Sequence, residues 1–164
     1  VHLKQLVEPS PTAGKLPEMG PRKKANYFGD LLHWAALSSV TIDPGVADLR
    51  KTDARPPLRV AMVAKEMGRF PEFHHPAYRA RWSGARDLSQ RAELTGLVEG
   101  AGLDVEAVLA RAESKEIDEQ LDAQTREAID RGVFGVPTMF VGDEMFWGND
   151  RFELVRFYIQ RARV

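Results

Sequence analysis

The sequence predicts a mixed α/β fold in which a block of helices interrupts a small α/β domain. Three observations predict it. Residues 1–7 (VHLKQLV) carry a short strand signal. Residues 22–131 then hold one segment of helical periodicity after another. Residues 138–147 close with two short apolar runs around Gly142-Asp143, a hairpin signal, before a last helix. An all-helical bundle would leave that hairpin without a sheet to join, and isolated two-stranded hairpins are marginal in water.

Val1, Leu3, Leu6 and Val7 give the first strand, and the chain reads as though it begins downstream of a natural N-terminus. Residues 8–21 are punctuated by Pro9, Pro11, Gly14, Pro17, Gly20 and Pro21 and form a loop. A helix over about 22–39 follows, its apolar stripe made by Tyr27, Phe28, Leu31, Leu32, Trp34 and Ala35. Core packing is the plain account of those aromatics.

Residues 41–55 connect, with Pro44-Gly45 as the turn. Pro57 then opens a helix to Gly68 that is apolar nearly all round through Val60, Ala61, Met62, Val63, Ala64 and Met67, and so expected to be buried. Residues 70–82 make an aromatic helix with Phe73, Tyr78 and Trp82, which Pro76 must begin or kink. Asp87 or Ser89 caps the next helix, carrying Leu94, Leu97 and Val98. Asp104 caps a short helix with Val105, Val108 and Leu109. Ser114 caps a longer one with Ile117, Leu121, Thr125, Ala128 and Ile129 on one face, ending at Gly132. The last helix spans about 151–163 and turns Leu154, Val155, Tyr158, Ile159 and Ala162 inward.

The totals describe an ordinary globular chain of 164 residues, 43% hydrophobic and 29% charged. A net charge of −1 offers no electrostatic footprint for nucleic acid or an anionic membrane. No apolar run is long enough to span a bilayer. Cysteine is absent, which removes disulfides, CxxC chemistry, cysteine-ligated metal and a thiol nucleophile from these residues. That is compatible with the cytoplasm, where the chain is expected.

Among motifs, a nucleophile elbow, a phosphate loop, HExxH and EF-hand spacing are all missing. His74 and His75 point about 100° apart on a helix and do not suit one metal, so no metal site is expected. The run Arg22, Lys23, Lys24 stands at a helix N-terminus, where the dipole disfavours cations. It is a solvated helix end or the seat of an anionic ligand. The charges over 113–131 read as a solvated face.

Signals concentrate in residues 132–151, GVFGVPTMFVGDEMFWGNDR. Gly132 stops a helix, Val136-Pro137 forces an extended or turned backbone, and the hairpin follows. Asp150 and Glu153 then fit a helix capping box. A strand edge and a helix N-terminus thus arrive close together, a geometry that suits a peptide-like ligand bearing a carboxylate.

This stretch resembles the C-terminal half of the 2-hydroxychromene-2-carboxylate isomerases, relatives of kappa-class glutathione transferases and of bacterial disulfide-forming enzymes. VFGVPTMFVGDEMFWGNDR carries the specific match, with weaker similarity through TREAIDRG, GRFPEFHHPAYRARW and NYFGDLLHWA. The resemblance implies a thioredoxin-like domain with an inserted all-helical subdomain, lacking its first strand and helix in this chain. Residues 1–21 are then a remnant of the N-terminal thioredoxin-like half plus a loop, 22–112 the insertion, and 113–164 the C-terminal half.

It also implies that Pro137 is cis, and that the backbone of Val136 pairs with the cysteinyl part of glutathione like an added strand. Trp147, Gly148, Asn149 and Asp150 would hold the γ-glutamyl end. Glutathione would serve as cofactor in interconverting a cyclic chromene carboxylate and a trans-benzylidenepyruvate. The alternatives are a kappa-type transferase and a non-catalytic thioredoxin-like binding module.

The family's thiolate-stabilising serine has no match, so the catalytic residue is unknown and expected upstream of Val1; Ser10 aligns better after the second strand. Lys15, Arg22 and Lys23 are candidates for the substrate carboxylate, and Phe73, Tyr78 and Trp82 for pocket walls. A small aromatic-derived carboxylate and a second copy of the chain are the implied partners. Because the first strand lies inside such a sheet, a segment missing from the chain or supplied by another chain is expected beside residues 1–7.

Overall fold

Helix α1 (Pro21–Leu37) opens on a proline, whose missing N–H is harmless in a first turn. The computed structural model describes residues 20–162; the predicted strand at 1–7, Ser10 and Lys15 lie outside the described residues, as does the side chain of Lys23. Among the described residues two compact units appear, divided between Asp122 and Ala123.

In the first unit α1 leads to a 3₁₀ helix (Pro44–Lys51) and then α2 (Arg55–Glu66), α3 (Phe70–Ser83), α4 (Arg91–Gly100) and α5 (Val105–Ala112). Helix α6 (Lys115–Asp130) carries the boundary between the units. The 3₁₀ helix extends what the sequence shows only as a turn at Pro44-Gly45. Asp43 starts it, its Oδ1 accepting from the Gly45 N–H at 2.7 Å. Helix α2 begins two residues before Pro57, and Pro76 lies inside α3.

Four helices end the same way. The N–H groups of Gly68 and Arg69 return to Lys65 and Ala64, those of Gly102 and Leu103 to Glu99 and Val98, and those of Gly132 and Val133 to Ile129 and Ala128. The three glycines have φ of 69°, 70° and 80°. This paired return satisfies the last carbonyls, and glycine takes the left-handed conformation without a Cβ penalty. Helix α1 uses the same closure through Ser39 and Val40, with Ser39 at φ 54°.

Starts are capped where expected at Asp104, whose Oδ1 accepts from Ala107 N at 2.7 Å, and at Ser114, whose Oγ accepts from Ile117 N at 3.4 Å. Neither Asp87 nor Ser89 caps α4. Gln90 precedes it, and Asp87 accepts instead from the N–H and hydroxyl of Ser89 at 3.0 and 2.8 Å.

The core of this unit joins Val60, Val63 and Ala64 of α2 to Phe73 and Ala77 of α3, Leu94, Leu97 and Val98 of α4, Val108 and Leu109 of α5 and Ile117 of α6. Helix α2 packs on both α3 and α5, and α4 on α3 and α5. Each fully buried large side chain stabilises by about 1.5–3 kcal/mol. Met67, expected inside, is exposed at the end of α2.

The core is complete without α1, and the expected inward stripe of that helix is corrected. Only Ala35 is buried, while Tyr27, Phe28, Leu32 and Trp34 are exposed. Periodicity locates an apolar face but does not supply its partner.

The carboxylates of α6 are not simply a solvated face either. Asp118 accepts from Arg55 at 2.7 Å and from Arg59 at 3.2 Å, and Asp122 from Arg55 at 2.9 Å. Glu116 takes both terminal nitrogens of Arg111, at 2.6 and 2.9 Å.

In the second unit β1 (Thr138–Val141) and β2 (Glu144–Trp147) form an antiparallel hairpin, paired Thr138 to Trp147 and Val141 to Glu144. Gly142 at φ 59° opens the two-residue turn. A 3₁₀ turn (Asn149–Arg151) leads into α7 (Phe152–Ala162), which packs on β1. Phe146 is buried, its ring 5.1 Å from that of Tyr158. Of the residues expected to face inward on α7 only Val155 is even half-buried; Leu154, Tyr158, Ile159 and Ala162 are exposed.

Candidate functional site

The site begins where α6 stops. The glycine closure at Gly132 turns the chain, Val133 is buried, and residues 134–137 run exposed or half-exposed to the hairpin. The Val136–Pro137 peptide bond is cis. Thr138 Oγ1 donates to the Gly135 carbonyl at 2.6 Å, pinning the loop just before that bond. Gly148 N donates to the Pro137 carbonyl at 3.0 Å, which extends the hairpin ladder by one rung. Val136 stands beyond that rung, 55% exposed. Among the described residues its backbone has no hydrogen-bond partner. An unpaired strand edge of this kind accepts an extended ligand by backbone hydrogen bonds.

On the other strand Trp147 is 51% exposed and paired in register with Thr138. Gly148 follows at φ 116°, a backbone conformation that favours glycine, and a Cβ there would lie 2.5 Å from Asp150 Oδ1. The capping-box expectation at Asp150 is corrected: Asp150 stands inside the 3₁₀ turn, its carboxylate folded back over Gly148, with Oδ2 3.6 Å from Arg151 Nη2. The turn begins at Asn149, two residues too early for the Asp150–Glu153 spacing to close a box. Gly148 precedes the turn without a side-chain cap. Asn149 and Asp150 are both exposed, and Asp150 carries a negative charge beside the turn.

Six expected residues, Val136, Pro137, Trp147, Gly148, Asn149 and Asp150, therefore sit on one short hairpin and its two flanks. Phe134 and Gly135, which lie in the stretch that carries the family resemblance but are not among the expected site residues, support Trp147. The Phe134 ring lies 5.0 Å from the indole, and a Cβ on Gly135 would fall 2.7 Å from its Nε1. The sequence signal for them is a glycine and an aromatic residue directly ahead of the Val-Pro pair.

The remaining candidates belong to the helical unit. Phe73 is corrected: it is 1% exposed and part of the core, because it falls on the face of α3 that meets α2. Tyr78 and Trp82 are exposed. Tyr78 stacks on His74 at 4.6 Å, and His74 on Phe70 at 4.6 Å. Burial, then the charge of His75, pushes the His74 pKa down. Arg22 is exposed in the first turn of α1.

A family model described as DSBA-like thioredoxin domain matches residues 4–160. The chain belongs to that family. Its helices and small antiparallel sheet are those of a thioredoxin-like domain with a helical insertion, as the sequence predicts.

This DSBA-like domain is similar to a 2-hydroxychromene-2-carboxylate isomerase of Pseudomonas sp. (strain C18), 55% identical over 125 residues, which cover 74% of this chain and 56% of the relative. It is also similar to the enzyme of that name from Sphingobium xenophagum, 34% identical over 99 residues, covering 60% and 51%. A solved structure of a 2-hydroxychromene-2-carboxylate isomerase superposes with a TM-score of 0.64 at 27% identity, covering 89% of this chain and 72% of that one. The matched stretches span about half the length of these two curated relatives. Among the described residues no helix is long and apolar enough to cross a membrane.

Proposed function

We propose that this DSBA-like domain is the glutathione-binding part of an isomerase of the 2-hydroxychromene-2-carboxylate type, interconverting a cyclic chromene carboxylate and a trans-benzylidenepyruvate. The observation that carries the reading is the unpaired edge of Val136 lying one ladder rung from the Trp147–Gly148–Asn149 corner, in a chain whose relatives bear that enzyme's name.

The residues present fit a short peptide thiol. Val136 offers one N–H and one C=O to an extended cysteinyl backbone, as in strand addition. The start of the 3₁₀ turn offers uncapped N–H groups to a carboxylate, and Asp150 offers a carboxylate to an ammonium. When bound, glutathione supplies a thiol that adds to the ring-opened substrate, frees a bond to rotate, and leaves unchanged. None of these residues is an acid or base placed to activate sulfur, so the catalytic residue is assigned outside them. Tyr78 and Trp82 are assigned to the substrate's aromatic body, and Arg22, Lys15 and Lys23 to its carboxylate. A cytoplasmic homodimer belongs to the same reading, with 22–112 as the inserted subdomain.

The test offers the protein glutathione and a chromene carboxylate together. Appearance of the trans-benzylidenepyruvate with free thiol conserved supports the isomerase. Accumulation of a thioether conjugate supports the kappa-type transferase. No glutathione binding at millimolar concentration, and no turnover, leaves a binding module of another kind and overturns the proposal.

A further inference from the structure

We propose that Gly135 and Phe134 are positioning residues that set the Trp147 indole against the ligand edge, so that the loop preceding Pro137 controls both ends of the site. The inference rests on the glutathione reading above. Its support is steric. The indole Nε1, Cε2 and Cδ1 lie 2.7, 3.4 and 3.6 Å from where a Gly135 Cβ would be, closer than real Cβ contacts allow at the first of these. The backbone of Gly135 is not in the left-handed region. A side chain there would have to displace the indole from its present place.

Phe134, one residue earlier, places its ring 5.0 Å from the indole at an interplanar angle of 57°, within the range of favourable aromatic pairs. The strand fixes the other end of Trp147 through its register with Thr138, whose hydroxyl in turn holds the Gly135 carbonyl. The indole is thus held by three consecutive features of residues 134–138, and the exposed, unpaired Val136 lies within that same segment. A ligand that pairs with Val136 meets an indole whose place is dictated by its neighbours, and displacing the indole removes one wall of the site.

The experiment uses the full chain with glutathione as the probe and Gly135→Ala, Phe134→Leu and Trp147→Leu as variants. Gly135→Ala is expected to weaken glutathione binding roughly three- to tenfold, the scale of one lost aromatic contact. Phe134→Leu weakens it in the same direction without adding a group to the loop, which keeps the test open if Gly135→Ala does not fold. In a Trp147→Leu background the Gly135→Ala loss falls below about twofold, because the contact is already gone.

Emission supplies a second readout. With Trp34 and Trp82 replaced by Phe, Trp147 is the sole tryptophan, and Gly135→Ala is expected to shift its emission to the red. An equal loss of binding in both backgrounds, or unchanged emission, overturns the proposal. Absence of glutathione binding by the native chain overturns the glutathione reading instead, and the emission shift then decides the placement of the indole by itself.

Discussion

Ser39 holds a left-handed backbone, φ 54°, at the position where α2, α4 and α6 each place a glycine. For an L-residue that conformation costs roughly 1–2 kcal/mol, partly offset by the lower chain entropy of serine in the unfolded state. Ser39→Gly is therefore expected to stabilise the protein by about 0.5–1 kcal/mol, read as a higher urea midpoint with unchanged slope. Gly68→Ala tests the same physics in reverse. No atom lies within 4 Å of the added Cβ, so its cost of about 1 kcal/mol is conformational alone. At the site, Asp150→Asn is expected to weaken glutathione binding roughly tenfold by removing one charged partner, measured by calorimetry with unchanged thermal stability.

Among the elements, α6 depends most on charge. Hydrogen bonds from Arg55 hold the Asp118 carboxyl below its usual 3.8. A depressed carboxyl contributes stability that is complete above the unfolded value and lost as pH falls through the lower folded value. The α2–α6 contact thus weakens on acidification below about pH 4. Because the Asp118 side chain is 40% exposed, Asp118→Asn should cost at most about 1 kcal/mol at pH 7, and the gap from the native protein should be narrower at pH 3. Urea midpoints at the two pH values measure it. A gap that stays constant would mean that shape, not charge, holds Asp118 in place.

For the whole molecule, the contrast is between a dry helical core and apolar helix faces left in solvent. Phe73→Ala cuts into the core and is expected to cost about 3–5 kcal/mol. Leu37→Glu, on the exposed side of α1, is expected to stay within about 0.5 kcal/mol of the native protein. Thermal unfolding of the two variants side by side separates core from periphery. It also checks the reassignment of Phe73 from pocket wall to core, since a pocket residue would lose binding before stability.

Local features were legible in the sequence by itself. The hairpin was bounded to the residue because Gly142 supplies the turn and apolar runs flank it. The stops at Gly68 and Gly132 and the caps at Asp104 and Ser114 were likewise readable from neighbouring residues. The six residues of the candidate hairpin site came from one contiguous stretch, so their proximity needed no folding to foresee. Tertiary structure alone decided which apolar faces found partners. It buried Phe73 and left Tyr78 and Trp82 exposed on the same helix, left the stripe of α1 in solvent, and moved Asp150 from a cap into a turn. It alone brought Gly135 against the Trp147 indole, twelve residues away, so that a side chain at 135 would have to displace that ring. Turn chemistry and helical periodicity are set by near neighbours in the chain, whereas burial and steric exclusion depend on residues that only packing brings within reach.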